Sequence, residues 1–205
     1  MFYEVFTWTL KPDTVPQLEA RFEEALPHRL KYSELAAFWH TEIGPLNQVI
    51  HLWPYENFQH RADVYAQMAK DPYLPARTSE FIVSAESEIY YPAPFSPKLG
   101  GGKKLGNIYE MRIYQHTPRS MPTVIKRWGE AMPDRLTLSP VAACLWCEIG
   151  GIGRWMHIWP YADMEDRERV RVQAARLKAW PPDSLEFMVS QQNKILRPAS
   201  FSPTA

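Results

Sequence analysis

Two segments of this chain carry histidine, tryptophan and tyrosine at alternate positions: His51, Trp53 and Tyr55, and again His157, Trp159 and Tyr161. Imidazole exchanges its proton near neutral pH, so a histidine next to a carboxylate that orients it is a candidate general base. Carboxylates stand at matching places, Glu4 and Glu42 in the first half of the chain and Glu110 and Glu148 in the second. The second half also has Arg112 and Tyr114, which alternate with Glu110 on one segment. In such a set Arg112 can bind a carboxylate or enolate, Glu110 or His157 can move a proton, and Tyr114 can donate a hydrogen bond. Glu110, Arg112, Tyr114 and His157 are therefore the candidate catalytic residues. Glu4, Trp8, His40, Glu42, His51, Trp53, Trp146 and Trp159 are the candidate binding residues, with aromatic walls to bury a small apolar or aromatic ligand and a few polar groups to orient it.

Each of these has a plainer reading. Arg112 can simply neutralise Glu110 in a buried pair, the histidines can be bonded core residues, and the tryptophans can be packing. A metal site from His40, Glu42 and His51 is weakened because Trp146 stands at the position matching His40, and no metal is expected. Cys144 and Cys147 form a C-x-x-C inside a strand-like segment, which sends the two thiols to opposite faces and favours packing over redox chemistry.

The elements that must position these residues come twice. The repeat runs without a gap from Tyr3/Tyr109 to Pro97/Pro203, an offset of 106 residues and the period of a small domain. In the first copy, Phe2–Leu10 reads as a strand, 15–31 as a helix with Leu18, Phe22, Ala25 and Leu26 on one face, and 34–43 with 48–55 as a hairpin. A helix over 58–70 and a strand over 81–91 follow, and the second copy repeats the order. Each copy is thus β-α-β-β-α-β, a ferredoxin-like unit. Such a unit has helices on one face of its sheet only, so the fold class expected is α+β, with two units closing a barrel within one chain. The boundaries expected are 1–97 and 108–205, joined by a Gly/Lys linker over 98–107 that lacks the spacing of a phosphate-binding loop.

Strand alternation assigns the faces. Tyr3, Val5, Thr7, Ile50 and Leu52 are expected under the helices, and the alternate set with Glu4, Phe6, Trp8, His51 and Trp53 on the concave face. If Gly44 and Asn47 close the hairpin, Glu42 opposes Val49, His40 opposes His51 and Phe38 opposes Trp53. Trp146 then opposes His157 and Cys144 opposes Trp159. Phe6 and Trp8 stand where the second half has Arg112 and Tyr114, so an anion is expected to meet no cation in the first half.

Lys plus Arg and Asp plus Glu number 23 each among 205 residues, a balance that favours neither nucleic acid nor an anionic membrane as partner. No apolar run has membrane-spanning length, and strand-like sequence begins at Phe2 with no room for a targeting peptide, so a cytoplasmic protein is expected. No cofactor motif is present. Uncovered outer strand edges would favour a homo-oligomer.

The hairpin Thr41-Glu42-Ile43-Gly44-Pro45-Leu46-Asn47-Gln48-Val49-Ile50-His51-Leu52-Trp53 resembles the signature hairpin of the NIPSNAP family, and Tyr109-Glu110-Met111-Arg112-Ile113-Tyr114 resembles its first-strand motif. The second hairpin departs from it, since Gly151-Ile152-Gly153-Arg154 replaces Pro-Leu-Asn-Gln, and the first strand departs with Phe6. The resemblance implies the dimeric α+β barrel superfamily. Its members include cofactor-independent monooxygenases, cyclases, isomerases and haem proteins, which use the barrel interior or the space under the helices as a pocket. The family itself has no settled activity, and its animal members are linked to mitochondria and protein interaction. Three readings result: a cofactor-free small-molecule enzyme or binder, a non-catalytic interaction barrel, and a haem protein with an axial histidine. An open cavity beside His51 and His157 distinguishes the first from the second.

Overall fold

The computed structural model describes residues 1–205. Aromatic and β-branched residues form β1 (Phe2–Leu10), and the turn that follows it has Asp13 at a left-handed φ of 63°. Helix α1 (Val15–Arg29) tolerates Pro16 in its first turn and buries Leu18, Phe22, Leu26 and Arg29 along one stripe. The first unit is completed by β2 (Ala37–Ile43), β3 (Gln48–Tyr55), α2 (Phe58–Met68) and β4 (Ile82–Pro92). The second has β5 (Ile108–His116), α3 (Met121–Leu136), β6 (Ala143–Ile149), β7 (Arg154–Tyr161), α4 (Met164–Ala174) and β8 (Met188–Pro198). Both follow the β-α-β-β-α-β order, and a short 3₁₀ turn before β4 and β8 is an addition to it.

The eight strands close one antiparallel barrel in the order β1-β3-β2-β8-β5-β7-β6-β4. Two seams join the halves, β2 with β8 and β4 with β6, so no strand edge is left open. The edge-based reason for self-association therefore falls away. The barrel interior holds a cluster drawn from all eight strands, including Tyr3, Val5, Trp39, Leu52, Tyr109, Met111, Leu145 and Ile158, and contains no helix residue. The segment between the halves is stitched to one end of the barrel. Leu99 is buried in the interior cluster and its N–H donates to the Tyr3 hydroxyl at 3.0 Å, while Leu105 N–H donates to the Tyr109 hydroxyl at 3.2 Å. No helix is long and apolar enough to cross a membrane.

Two expectations are corrected. The faces are inverted: Tyr3, Val5, Ile50 and Leu52 fill the barrel, whereas Phe2, Val49, Trp53 and Tyr55 pack with Leu18, Phe22 and Leu26 under the helices. Both faces are apolar, so a two-residue period separates them without saying which is which. The hairpins are also shifted by two residues, with Phe38 opposite His51, His40 opposite Val49, Cys144 opposite His157 and Trp146 opposite Trp155. Beyond Thr41 the end of β2 leaves β3 and pairs with β8 through a bulge, which lengthens the turn. A two-residue shift preserves the side of the sheet on which each residue lies.

A fragment of residues 1–97 would expose its share of the interior cluster and the unpaired edges of β2 and β4. It is expected to sediment as a dimer or larger species. A cooperatively folded monomer at micromolar concentration would contradict the shared interior.

Candidate functional site

The polar-aromatic strand residues lie between the sheet and the helices, where each half has a cavity. The second-half cavity has a volume of about 300 Å³ and lies among β5, β7, α3, α4 and the connection from α4 to β8. Glu110, Arg112, Tyr114, His157 and Trp159 line it together with Trp128, Arg135, Arg171 and Trp180. The first-half cavity is larger, about 620 Å³, and is lined by Phe6, Trp8, Phe22, Arg29, His51 and Trp53 among others.

The histidines are set by their own strands. Side chains two residues apart share a face, and the Trp159 indole N–H donates to His157 Nδ1 at 2.6 Å. Trp53 does the same to His51 Nδ1 at 2.8 Å. An acceptor Nδ1 places the ring proton on Nε2, and both Nε2 atoms are buried with no hydrogen-bond partner. Burial, reinforced by the charge of Arg29, pushes His51 down to about 3. Burial, with Arg112 and Arg135 adding to it, holds His157 well below the usual range. Each is therefore a neutral imidazole whose free group is a donor. The expectation that an acid orients the histidine as a base is corrected: a tryptophan orients it, and it donates.

The same tryptophans carry a second partner. The Arg135 guanidinium lies 4.1 Å from the Trp159 ring centroid and donates to Ser139 Oγ at 2.9 Å. Arg29 lies 4.0 Å from the Trp53 ring and donates to the Tyr55 hydroxyl at 2.8 Å and to Ser33 Oγ. Both arginines are buried and neither forms an ion pair with a carboxylate. The expectation that the first half offers no cation is corrected by Arg29. Sequence reading passed over this pair because each stands in the last turn of its helix, where a basic residue reads as a dipole partner. Their recurrence at the repeat offset, on the stripe of Leu18, Phe22 and Leu26, was the available signal.

The acids are also paired differently. Glu4 receives Arg61 Nε at 2.9 Å and Nη2 at 2.6 Å, the Tyr65 hydroxyl at 3.0 Å and Ser87 Oγ at 2.8 Å. On Glu110, all the bonds fall on Oε1: Arg167 at 2.7 Å, Arg112 at 3.0 Å and Asn193 at 3.1 Å. Its Oε2 is buried and unbonded, with Arg171 Nη1 3.9 Å away. Burial would raise this carboxyl, but the Arg167 hydrogen bond and the charges of Arg112, Arg167 and Arg171 outweigh it and hold it below the usual range. Arg112 also donates from Nε to the Tyr114 hydroxyl at 2.8 Å, which leaves the Tyr114 proton free to donate.

The structure thus unites Glu110, Arg112, Tyr114, His157 and Trp159, and separately Trp8, His51 and Trp53, with Glu4 bonded behind them. The expected gathering of His40 and Glu42 around His51 does not occur. His40 shares a hydrogen bond with Glu19 at 2.8 Å, Glu42 pairs with Arg197 across the seam, and Trp146 stacks on Tyr91. No three His, Cys, Asp or Glu side chains gather as a metal cluster. Cys144 lies under the helices and Cys147 inside the barrel, the opposite faces expected of them.

Comparison with known proteins places this geometry in a family. The NIPSNAP family model matches residues 3–97 and 109–203. NipSnap homolog 3B of Homo sapiens is 33% identical over 218 residues, a match spanning 98% of this chain and 85% of that protein. NipSnap homolog 3A of Homo sapiens is 31% identical, across 99% and 85% respectively. Among solved structures, a monooxygenase-like protein from Lactobacillus acidophilus NCFM superposes with a TM-score of 0.69 over 96% of this chain and 93% of its own, at 10% identity, a likeness of fold alone.

Neutral buried histidines make stability depend on pH. Their folded pKa values lie below the unfolded value, so as pH falls through about 6.5 the unfolded chain gains protons and the folded chain does not. Stability is retained above that pH and falls below it, by up to roughly 1.4 kcal/mol per pH unit for each such histidine. Urea unfolding of wild type and His51→Gln between pH 7 and pH 5 is expected to show a shallower decline in the variant. Equal slopes would contradict a neutral His51.

Proposed function

We propose, starting from a chain that belongs to the NIPSNAP family as two fused units, that its second half binds a compact aromatic anion and stabilises negative charge on that ligand's oxygen. The observation that carries this reading is an excess of positive charge around the cavity, buried at Arg135, half-buried at Arg112 and exposed at Arg171. Arg112, Arg135 and Arg171 line the cavity and Glu110 is its single acid. Arg167 adds a further cation behind Glu110. Uncompensated positive charge, least solvated at Arg135, favours an anionic partner. The Tyr114 hydroxyl and His157 Nε2–H supply neutral donors, and Trp128, Trp159 and Trp180 supply aromatic walls.

The chemistry this supports is electrostatic stabilisation of a carboxylate, phenolate or enolate, as a cofactor-free cyclase, isomerase or oxygenase would need. Arg112 and Arg135 hold the anion, while Tyr114 and His157 donate to the developing oxyanion. Glu110 keeps Arg112 and Arg167 in place. Held as a carboxylate by those arginines, it is a weak base. A purely interaction-bearing barrel would have its aromatic strips packed solid, whereas these strips border cavities. Axial binding of haem iron by His51 or His157 is disfavoured, because the tryptophan bond to Nδ1 leaves the proton on the nitrogen that would bind the metal. The unpaired thiols of Cys144 and Cys147 suit a reducing compartment such as the cytoplasm.

A ligand that binds only the folded state raises its melting temperature. 3-Hydroxy-2-naphthoate, an aromatic carboxylate with an adjacent phenol, is expected to stabilise wild type and His51→Gln alike. The stabilisation is expected to disappear in Arg112→Met and His157→Gln. An unchanged response in those two variants would rule the site out.

A further inference from the structure

We propose that the first half holds a second, independent ligand site, selective for a larger amphipathic monoacid with one carboxylate on a long aliphatic or polycyclic body. The inference does not rest on the second-half reading, since its residues belong to α1, α2, β1, β3, the connection from α2 to β4 and the start of β4, all in the first half.

The two cavities occupy equivalent places but differ position by position. Leu74 stands where the second half has Trp180, Phe22 where it has Trp128, and Ser79 where it has Leu185. Each smaller residue widens the first cavity, in keeping with its volume of about 620 Å³ against 300 Å³. Two further exchanges remove charge, Phe6 for Arg112 and Tyr65 for Arg171.

What remains in the wall is one buried cation. The acid of this half is already satisfied, because Glu4 accepts from Arg61, Tyr65 and Ser87 on both oxygens. Arg29, 7% exposed, bonds only the neutral Ser33 and Tyr55 hydroxyls and stacks on Trp53. A buried guanidinium without a carboxylate matches a ligand carrying one. His51 Nε2–H, also buried and unbonded, is a second donor in the same wall. Around this polar end lie Phe6, Trp8, Leu26, Met68 and Ile82, which bury an apolar body, and the exposed Arg77 stands at the mouth. One buried cation, one neutral donor and a wide apolar chamber specify a monoacid. The crowded, multiply cationic second cavity does not suit such a molecule.

The test uses the intact chain and cis-parinaric acid, a fluorescent polyunsaturated monoacid, beside its methyl ester. Wild type is expected to bind the acid more tightly than the ester by roughly tenfold or more, as for a charge-assisted pair. Arg29→Met is expected to erase that preference, a change that loss of packing alone would not produce. Leu74→Trp, which copies the second half's own residue on a partly exposed connection, is expected to weaken both probes by about tenfold or more through lost volume. Saturating 3-hydroxy-2-naphthoate is expected to leave acid binding unchanged. The proposal is overturned by absence of binding to wild type, by equal affinity for acid and ester, by indifference to Leu74→Trp, or by displacement with the naphthoate.

Discussion

Burial of both faces of the sheet is the constraint on which the rest of this structure depends. Helices cover the outer face, and the inner face is covered only by the other half of the same chain. The interior therefore accepts only side chains that pack from eight strands at once, such as Val5, Trp39, Leu52 and Met111. Polar residues on alternate strand positions are directed to the outer face, where they need partners in a space that helices shield from water. Glu4 and Glu110 find them in Arg61 and Arg167, one on each unit's second helix, at the same offset as the acids themselves. The polar cavities beneath the helices are the consequence of a closed, filled barrel.

Within that space, one arrangement occurs in both units while its surroundings differ. A tryptophan holds an arginine on its face and a histidine at its N–H: Arg29, Trp53 and His51 in one half, Arg135, Trp159 and His157 in the other. The tryptophan fixes the imidazole tautomer, and the arginine helps to keep the imidazole neutral. Around this shared unit, the second half has Arg112, Arg171 and Trp180 where the first has Phe6, Tyr65 and Leu74. The same framework thus offers a narrow, strongly cationic cavity on one side and a wide, mainly apolar one on the other.

Much of the fold was legible because local signals agreed. Strand alternation, the helix stripes, the turn residues and the unbroken repeat all point to two β-α-β-β-α-β units that close on each other. The candidate set of Glu110, Arg112, Tyr114 and His157 was legible too, since alternation on neighbouring central strands brings them together in any register of the same parity. What escaped depended on packing between elements. Face assignment failed because Tyr3 and Trp53 are equally apolar and alternation has no sign. His40 and Glu42 were misplaced because the end of β2 serves the seam with β8. Arg29 and Arg135 were hidden in helix termini, and the Trp180 wall in a connection without periodicity.

The central claim is that each histidine is a neutral donor held by a tryptophan in a cavity beneath the helices. Long-range ¹H–¹⁵N correlation of the imidazole rings reads that state directly, with His51→Gln and His157→Gln assigning the two signals. At neutral pH, both rings are expected to show a protonated Nε2 and an unprotonated, hydrogen-bonded Nδ1, unchanged to well below the ordinary histidine pKa. A proton on Nδ1, or an imidazolium near neutrality, would contradict the account.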